Sequence, residues 1–256
     1  MEELYIIKIG GNIVNNSTIL NKFLKFYAAK NINKILIHGG GIISSEISRK
    51  MNLEIKMING RRITCHNTLK IVIMTYAGLI NKNIVSILQK NKLNSIGLCG
   101  ADGNLITSIK KSDVDGVNYG YVGKVINVST NNIMKLLNAG FYPVIAPITH
   151  DMNGQLLNTN ADSIASAIAS ALSSHYNVKL YYLFEREGVL IKNKVINLLN
   201  KKKYIEFKND KIIHSGMIPK IDNSFKALYN GVKNVYICKY DLFYNYNNNV
   251  KTEILL

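Results

Sequence analysis

Short apolar runs rich in β-branched residues recur along this chain and alternate with stretches of helical spacing, a pattern that leaves few folds open. The runs are Leu4 to Ile9, Lys34 to Ile37, Ser95 to Cys99, Tyr142 to Ile145, Leu180 to Phe184 and Asn234 to Cys238. Strand, helix, strand, helix predicts an α/β fold with a mainly parallel sheet covered on both faces. Ligands then belong at the carboxyl ends of the strands.

The longest helical stretch runs from about Cys65 to Gln89, where Leu69, Val72, Ile73, Tyr76, Ile80, Ile84 and Leu88 make one apolar stripe. A second helix, Ser163 to Leu172, follows Asn160-Ala161-Asp162, which offers good N-cap residues. A third begins near Met217-Ile218-Pro219-Lys220, with proline in its first turn and Gly231 as its stop. Asn245 to Asn249 reads as a polar loop. The polar stretch Ser173 to Asn177 is the place for a lobe boundary, dividing the chain into residues 1–174 and 175–256.

A chain of 256 residues can bury roughly three quarters of its unfolded surface without staples. Three cysteines, Cys65, Cys99 and Cys238, with no C-x-x-C spacing, argue against a disulfide framework or a zinc ribbon. His66, His150, His175 and His214 show no metal-ligand spacing either. The start Met1-Glu2-Glu3-Leu4 is acidic rather than basic, and no apolar run is expected to approach a membrane span of about 18 residues. A soluble, cytoplasmic protein with neither nucleic acid nor membrane as partner is expected. The net charge of +16 comes from scattered lysines rather than a basic arm, and suits small anionic substrates.

Two glycine corners stand out, Lys8-Ile9-Gly10-Gly11 and His38-Gly39-Gly40-Gly41. Neither fits the P-loop string or the dinucleotide fingerprint. They are either plain βα turns or turns whose bare amides and helix N-termini face an anion, with Lys8 adding a full positive charge. Further strings follow in order: Asn59-Gly60-Arg61-Arg62-Ile63-Thr64, Gly100-Ala101-Asp102-Gly103, Leu157-Asn158-Thr159-Asn160-Ala161-Asp162 and Gly216-Met217-Ile218-Pro219-Lys220.

Taken together, from Lys8 to about Cys238, these strings resemble the amino acid kinase family and, within it, the N-acetylglutamate kinases. The resemblance implies a three-layer α/β/α sandwich whose first lobe holds an N-acylglutamate and whose second holds ATP. Phosphoryl would pass from ATP to the side-chain carboxylate, with Mg²⁺ carried on the ATP phosphates rather than in a protein cage. No general base is needed, because a glutamate carboxyl with a pKa near 4.3 is already ionised. What two anionic reactants require is cancellation of charge. The resemblance gives that task to Lys8 on the nucleophile side and Lys220 on the leaving side, oriented by Asp162, with backbone amides at Gly10 and Gly11 toward the phosphates. Asp162 also has an alternative role as a helix cap. Arg62 would grip the substrate α-carboxylate, a planar fork suiting bidentate contact. Asn158 would hydrogen-bond the substrate, with Gly40 and Gly41 shaping the pocket. Arg61 reads as a surface charge and His38 as a packing or hydrogen-bonding residue.

Two departures from the family pattern are visible. Phe184-Glu185-Arg186-Glu187-Gly188 stands where an aspartate-valine pair before glycine is common, and Lys251 replaces a glycine before Thr252. Arginine-inhibited, hexameric members carry an extra N-terminal helix, and only seven residues precede Lys8. A homodimer insensitive to arginine is therefore expected, with the long Cys65 to Gln89 helix as its contact. Alternatives within the chemistry are N-succinylglutamate or a carrier-linked aminoadipate as acceptor; outside it stands a non-catalytic relative that keeps the fold.

Overall fold

The computed structural model describes residues 1–58, 60–113, 116–192, 194–213, 216–243 and 250–256. Asn59, His214 and the loop Asn245 to Asn249 lie outside the described residues. Eight strands form one sheet in the spatial order Leu198–Asn200, Lys251–Leu255, Asn234–Lys239, Asn177–Phe184, Glu3–Ile9, Lys34–His38, Tyr142–Ile145, Ser95–Leu98. The six from Asn234–Lys239 onward run parallel. These are the six apolar runs of the sequence. Lys251–Leu255 is antiparallel to its neighbour Asn234–Lys239, and Leu198–Asn200 completes the edge.

Side chains alternate across the sheet with period two, so each strand feeds two cores. Leu4 and Ile6 join Val178, Leu180 and Tyr182 beneath the helices Ala161–Leu172 and Ile218–Tyr229. Ile7, Ile9 and Leu183 pack with the helix Ser17–Ala29 and the long helix His66–Lys90 on the opposite face. The result is the three-layer α/β/α sandwich. Lys8 follows the parity of Leu4 and Ile6, so an ammonium group is sent under the helix that starts at Ala161. The sheet runs unbroken across the polar stretch at Ser173, since Asn177–Phe184 pairs with Glu3–Ile9 at the centre.

The chain leaves Glu3–Ile9 toward Lys34–His38 on one side, whereas Asn177–Phe184 is followed by Asn234–Lys239 on the other. The crevice between these two central strand ends is a topological switch point, where parallel sheets bind ligands. Gly10 sits there, its N–H donating to Leu183 O at 3.0 Å.

A small closed barrel of Ile106–Lys110, Val122–Val128, Ile148–His150 and Leu156–Thr159 stands beside the crevice. It was not legible in the sequence, because its strands are short and half polar. The barrel anchors the segment carrying Arg62: Thr64 N donates to Tyr119 O at 3.0 Å and Tyr121 N donates to Thr64 O at 2.7 Å.

The helix His66–Lys90 corrects one sequence expectation: at 25 residues it is long and apolar enough to cross a membrane. Its apolar stripe, however, is core. Leu69, Val72, Tyr76, Ile80, Ile84 and Leu88 are buried against the sheet and the neighbouring helices. Its middle, Met74–Ile80, is π-helical rather than α-helical.

Gly120 has φ +70°, and a Cβ there would lie 2.3 Å from Thr64 O. Gly120→Ala is therefore expected to cost about 1–3 kcal/mol from the left-handed backbone alone, and more from the clash. A urea midpoint equal to that of the unmodified protein would contradict this account.

Candidate functional site

A cavity of about 580 Å³ opens at the switch point. Its walls include Lys8, Gly10, Gly11, Gly40, Gly41, Arg62, Asn158 and Lys220, eight of the nine residues singled out from the sequence. The ninth, Asp162, lies behind Lys8 and Lys220.

Asp162 holds both lysines. Its Oδ1 is 2.7 Å from Lys8 Nζ and its Oδ2 is 2.6 Å from Lys220 Nζ. Among the described residues Oδ1 meets no donor other than the Lys8 ammonium, and the ion pair with Lys8 holds it. The local sequence explains this placement. Asn160 is the helix cap, its side chain accepting from Ser163 N at 3.0 Å, so Asp162 is released from that task. It stands in the first turn, where the helix dipole favours an anion. Lys220 comes from the first turn of Ile218–Tyr229, which has Pro219 near its start.

Burial penalises the charges of Lys8 and Asp162. It is the largest influence on Lys8 and lowers the ammonium to about 8, helped by the Lys220 charge and opposed by Asp162. For Asp162 burial acts to raise the carboxyl, but the charges of Lys220 and Lys8 outweigh it and hold the group well below the usual carboxylate range. Asp162 therefore stands as a carboxylate and Lys8 as an ammonium ion at neutral pH, and with Lys220 beside them the cluster carries more basic than acidic side chains.

On the other side, Arg62 is buried, and Nη2 donates to Gly41 O at 3.0 Å and to Ser45 Oγ at 2.6 Å. Its Nη1 is buried without a partner among the described residues. A buried guanidinium N–H left unpaired at a cavity wall is a donor waiting for an acceptor. Asn158 Nδ2 donates to Thr64 Oγ1 at 3.0 Å, tying the Arg62 segment to the barrel strand.

The glycine corners divide the labour unevenly. Gly10's amide is engaged with Leu183 O, whereas that of Gly11, which opens the short helix Gly11–Asn15, has no backbone acceptor among the described residues. In the second turn a Cβ on Gly40 would sit 2.5 Å from Ile80 Cδ1 and 2.7 Å from Tyr76 Cδ1, whereas one on Gly41 would meet nothing within 4 Å. Gly40 is required by packing, and Gly41 leaves the cavity open.

Other wall residues were missed from sequence. Arg61, read as a surface charge, lines the cavity with Arg49. Ser45 positions Arg62, and Tyr76 was hidden in the apolar stripe. Phe184 and Glu185, at the departure noted above, also reach the wall. Thr252, after the second departure at Lys251, is buried, accepting from Val189 N at 2.8 Å and donating to Ile196 O at 2.6 Å.

Fold and site together define a three-layer α/β/α protein with a cavity walled by cationic side chains at its switch point. The family model of the amino acid kinase family matches residues 3–239. The chain is 49% identical to the acetylglutamate kinase of Cytophaga hutchinsonii, covering 98% of this chain and 97% of the relative. It superposes on a protein from Streptococcus mutans UA159 with TM-score 0.82 and 26% identity, covering 98% of both chains. Carbamate kinase from Giardia lamblia shares the fold at TM-score 0.69 and 11% identity, covering 99% of this chain and 98% of the other. The chain belongs to the amino acid kinase family.

Removing the Asp162 charge leaves two ammonium groups partly buried and unpaired, so Asp162→Asn is expected to cost roughly 3–5 kcal/mol at pH 7. Because the folded carboxyl titrates below its unfolded value, its contribution is present above about pH 3.9 and lost as pH falls toward the folded value. The difference between the two proteins in chemical denaturation should narrow below that pH; a constant difference down to pH 2 would contradict the assignment.

Proposed function

We propose that this protein transfers the γ-phosphoryl group of ATP to the side-chain carboxylate of N-acetyl-L-glutamate, an acetylglutamate kinase reaction of arginine biosynthesis carried out in the cytoplasm. The observation that carries the reading is the single buried carboxylate holding two lysines at the cavity wall, opposite an arginine with an unpaired N–H. The acetylglutamate kinase name of the 49% identical relative supports the choice of substrate.

In this reading Arg62 Nη1 pairs with the α-carboxylate of the acceptor, and Asn158, Gly40 and Gly41 shape its seat. The acceptor's side-chain carboxylate then faces Lys8, which offsets its charge as it approaches the γ-phosphorus. As the bond to phosphorus forms, the bond to the β,γ-bridging oxygen breaks and its electron pair leaves with ADP, where Lys220 balances the growing charge. Amides of Gly11 and Gly41 add neutral donors that need no reorganisation. Asp162 keeps both ammonium groups in place and touches neither reactant. The division of labour follows the lobes: residues 1–174 seat the acceptor, and residues 175–256 seat ATP.

Mg²⁺ fits the donor set as a passenger of ATP. Among the described residues no group of three His, Cys, Asp or Glu side chains could cage a metal, and Glu185 is the one carboxylate on the cavity wall. Glu185 would be the cavity-wall carboxylate available to an ion bound mainly by phosphate oxygens and water, and such an ion would supply further charge neutralisation.

A longer acyl group is a second reading favoured by a specific feature. Arg49 and Arg61 line the cavity in addition to Arg62, so a second acidic end on the acyl chain, as in N-succinylglutamate, would find cations. A homodimer belongs to the same proposal, since Met74 and Leu79 expose 55% and 57% of their surface on the outer side of the long helix.

Incubation with ATP, Mg²⁺ and hydroxylamine should yield hydroxamate from N-acetylglutamate; product from N-succinylglutamate alone would transfer the assignment to the longer acceptor, and none from either would end the kinase reading. The pH profile is a second check. Lys8 loses its proton at about 8 in the free protein, so kcat/KM for the acceptor should fall above that pH. Bound anions raise the same pKa, so the fall in kcat should lie at higher pH. A kcat/KM profile flat to pH 9.5 would remove Lys8 from its role.

A further inference from the structure

His38 is completely buried one residue before the glycine turn, and its polar contacts fix its chemical state. Its Nδ1 lies 2.9 Å from Gly39 O. A carbonyl oxygen only accepts, so Nδ1 carries the hydrogen. Its Nε2 lies 3.2 Å from Asn81 Nδ2. The orientation of that amide is set independently, because the same nitrogen donates to Val144 O at 2.9 Å. Asn81 therefore donates to an unprotonated Nε2, while its Oδ1 accepts from Lys82 Nζ at 3.2 Å. Lys82 in turn donates to Gly97 O at 2.8 Å. Burial, joined by the Lys82 charge and opposed by the Gly39 carbonyl, lowers the imidazole to about 4, so the ring is neutral under working conditions.

The π-helical segment makes this arrangement possible. In an α-helix, residues five apart point about 140° away from each other. The wider i→i+5 turn brings them toward one face. Tyr76 and Asn81 are five apart and both meet the glycine turn: Tyr76 and Ile80 press on Gly40, and Asn81 reaches His38. Tyr76 Oη is also 3.2 Å from Ser44 Oγ, which donates to Gly41 O at 3.1 Å.

Three consecutive glycines would otherwise leave the Gly39–Gly40 peptide unusually free to rotate. In a trans peptide the carbonyl and the following N–H point in opposite directions, and no peptide bond among the described residues is cis. Holding Gly39 O toward the buried imidazole therefore sends the Gly40 N–H the other way, toward the cavity that Gly40 lines. With the peptide flipped, a carbonyl oxygen would face the incoming anion instead.

We infer that His38 and Asn81 form a positioning pair that holds the Gly39–Gly40 peptide with its N–H toward the transferring phosphoryl group. The pair acts on catalysis through the backbone and touches neither reactant. This rests on the phosphoryl-transfer reading above.

Two measurements test it. Imidazole ¹⁵N spectra of the whole protein without substrates should show His38 as the Nδ1–H tautomer; an Nε2–H ring would overturn the inference whatever the protein phosphorylates. For the kinetics, His38→Leu should lower kcat for the acceptor that the hydroxamate assay identifies by about 10²-fold, the usual loss for one misdirected oxyanion donor. His38→Asn, which keeps an N–H near the Nδ1 position, should recover at least a tenfold share of that loss. Both variants lose the contact from Asn81, so a purely structural role would lower both melting temperatures and leave kcat alike in the two. Equal kcat for the Leu and Asn variants, measured where circular dichroism shows both folded, would overturn the inference. If no acceptor is phosphorylated by the unmodified protein, the kinase reading falls and the tautomer alone decides whether the His38–Asn81 pairing stands.

Discussion

One carboxylate shared by two ammonium groups, at the carboxyl end of the sheet's central strands, is the interaction on which the site depends. Lys8 and Asp162 are each nearly withdrawn from water, and such charges are tolerated only when paired closely. The pairing requires strand parity to turn Lys8 toward the helix layer, an N-cap at Asn160 to start the helix one residue before Asp162, and Pro219 near the turn that presents Lys220. Lys8 and Lys220 come from opposite ends of the chain. The ion triad thus ties the two halves together at the same point where the sheet does.

The triad also sets the character of the cavity. Two positive charges against one negative leave a surplus cation, and burial keeps water from screening it. Arg62, with its unpaired Nη1, adds a second cation across the cavity, and the helix start at Gly41 brings bare amides between them. Two anionic reactants repel each other most strongly when brought close. A wall whose charges are fixed before the reactants arrive meets that repulsion without reorganising during the reaction.

The fold was legible in the sequence wherever burial was complete. The six parallel strands are apolar on both faces and announce themselves as unbroken runs, down to Tyr142–Ile145 with identical ends. The barrel strands alternate with polar residues over three to seven positions, too few to separate from loops. Of the site, the residues carried in glycine and lysine strings were found because the resemblance is local in sequence. Ser45, Arg49 and Tyr76 were not, since their roles come from packing between distant segments. The competing roles of Asp162, cap or lysine partner, could be separated only by coordinates: Asn160 takes the cap.

Several departures from local rules meet at this one place. Three consecutive glycines, a π-helical stretch in an otherwise α-helical 25-residue element, a buried neutral histidine and a buried ion triad all converge on the switch point. Each costs stability when considered alone: glycine through chain entropy, the π turn through poorer hydrogen bonding, and the buried charges through lost hydration. Departures clustered in this way are what a site built for function leaves in a sequence that otherwise folds by consistent rules. The π turn links two of them, because its extra residue per turn brings Tyr76 and Asn81 toward one face, where Tyr76 meets Ser44 and Asn81 meets His38 behind the glycine turn.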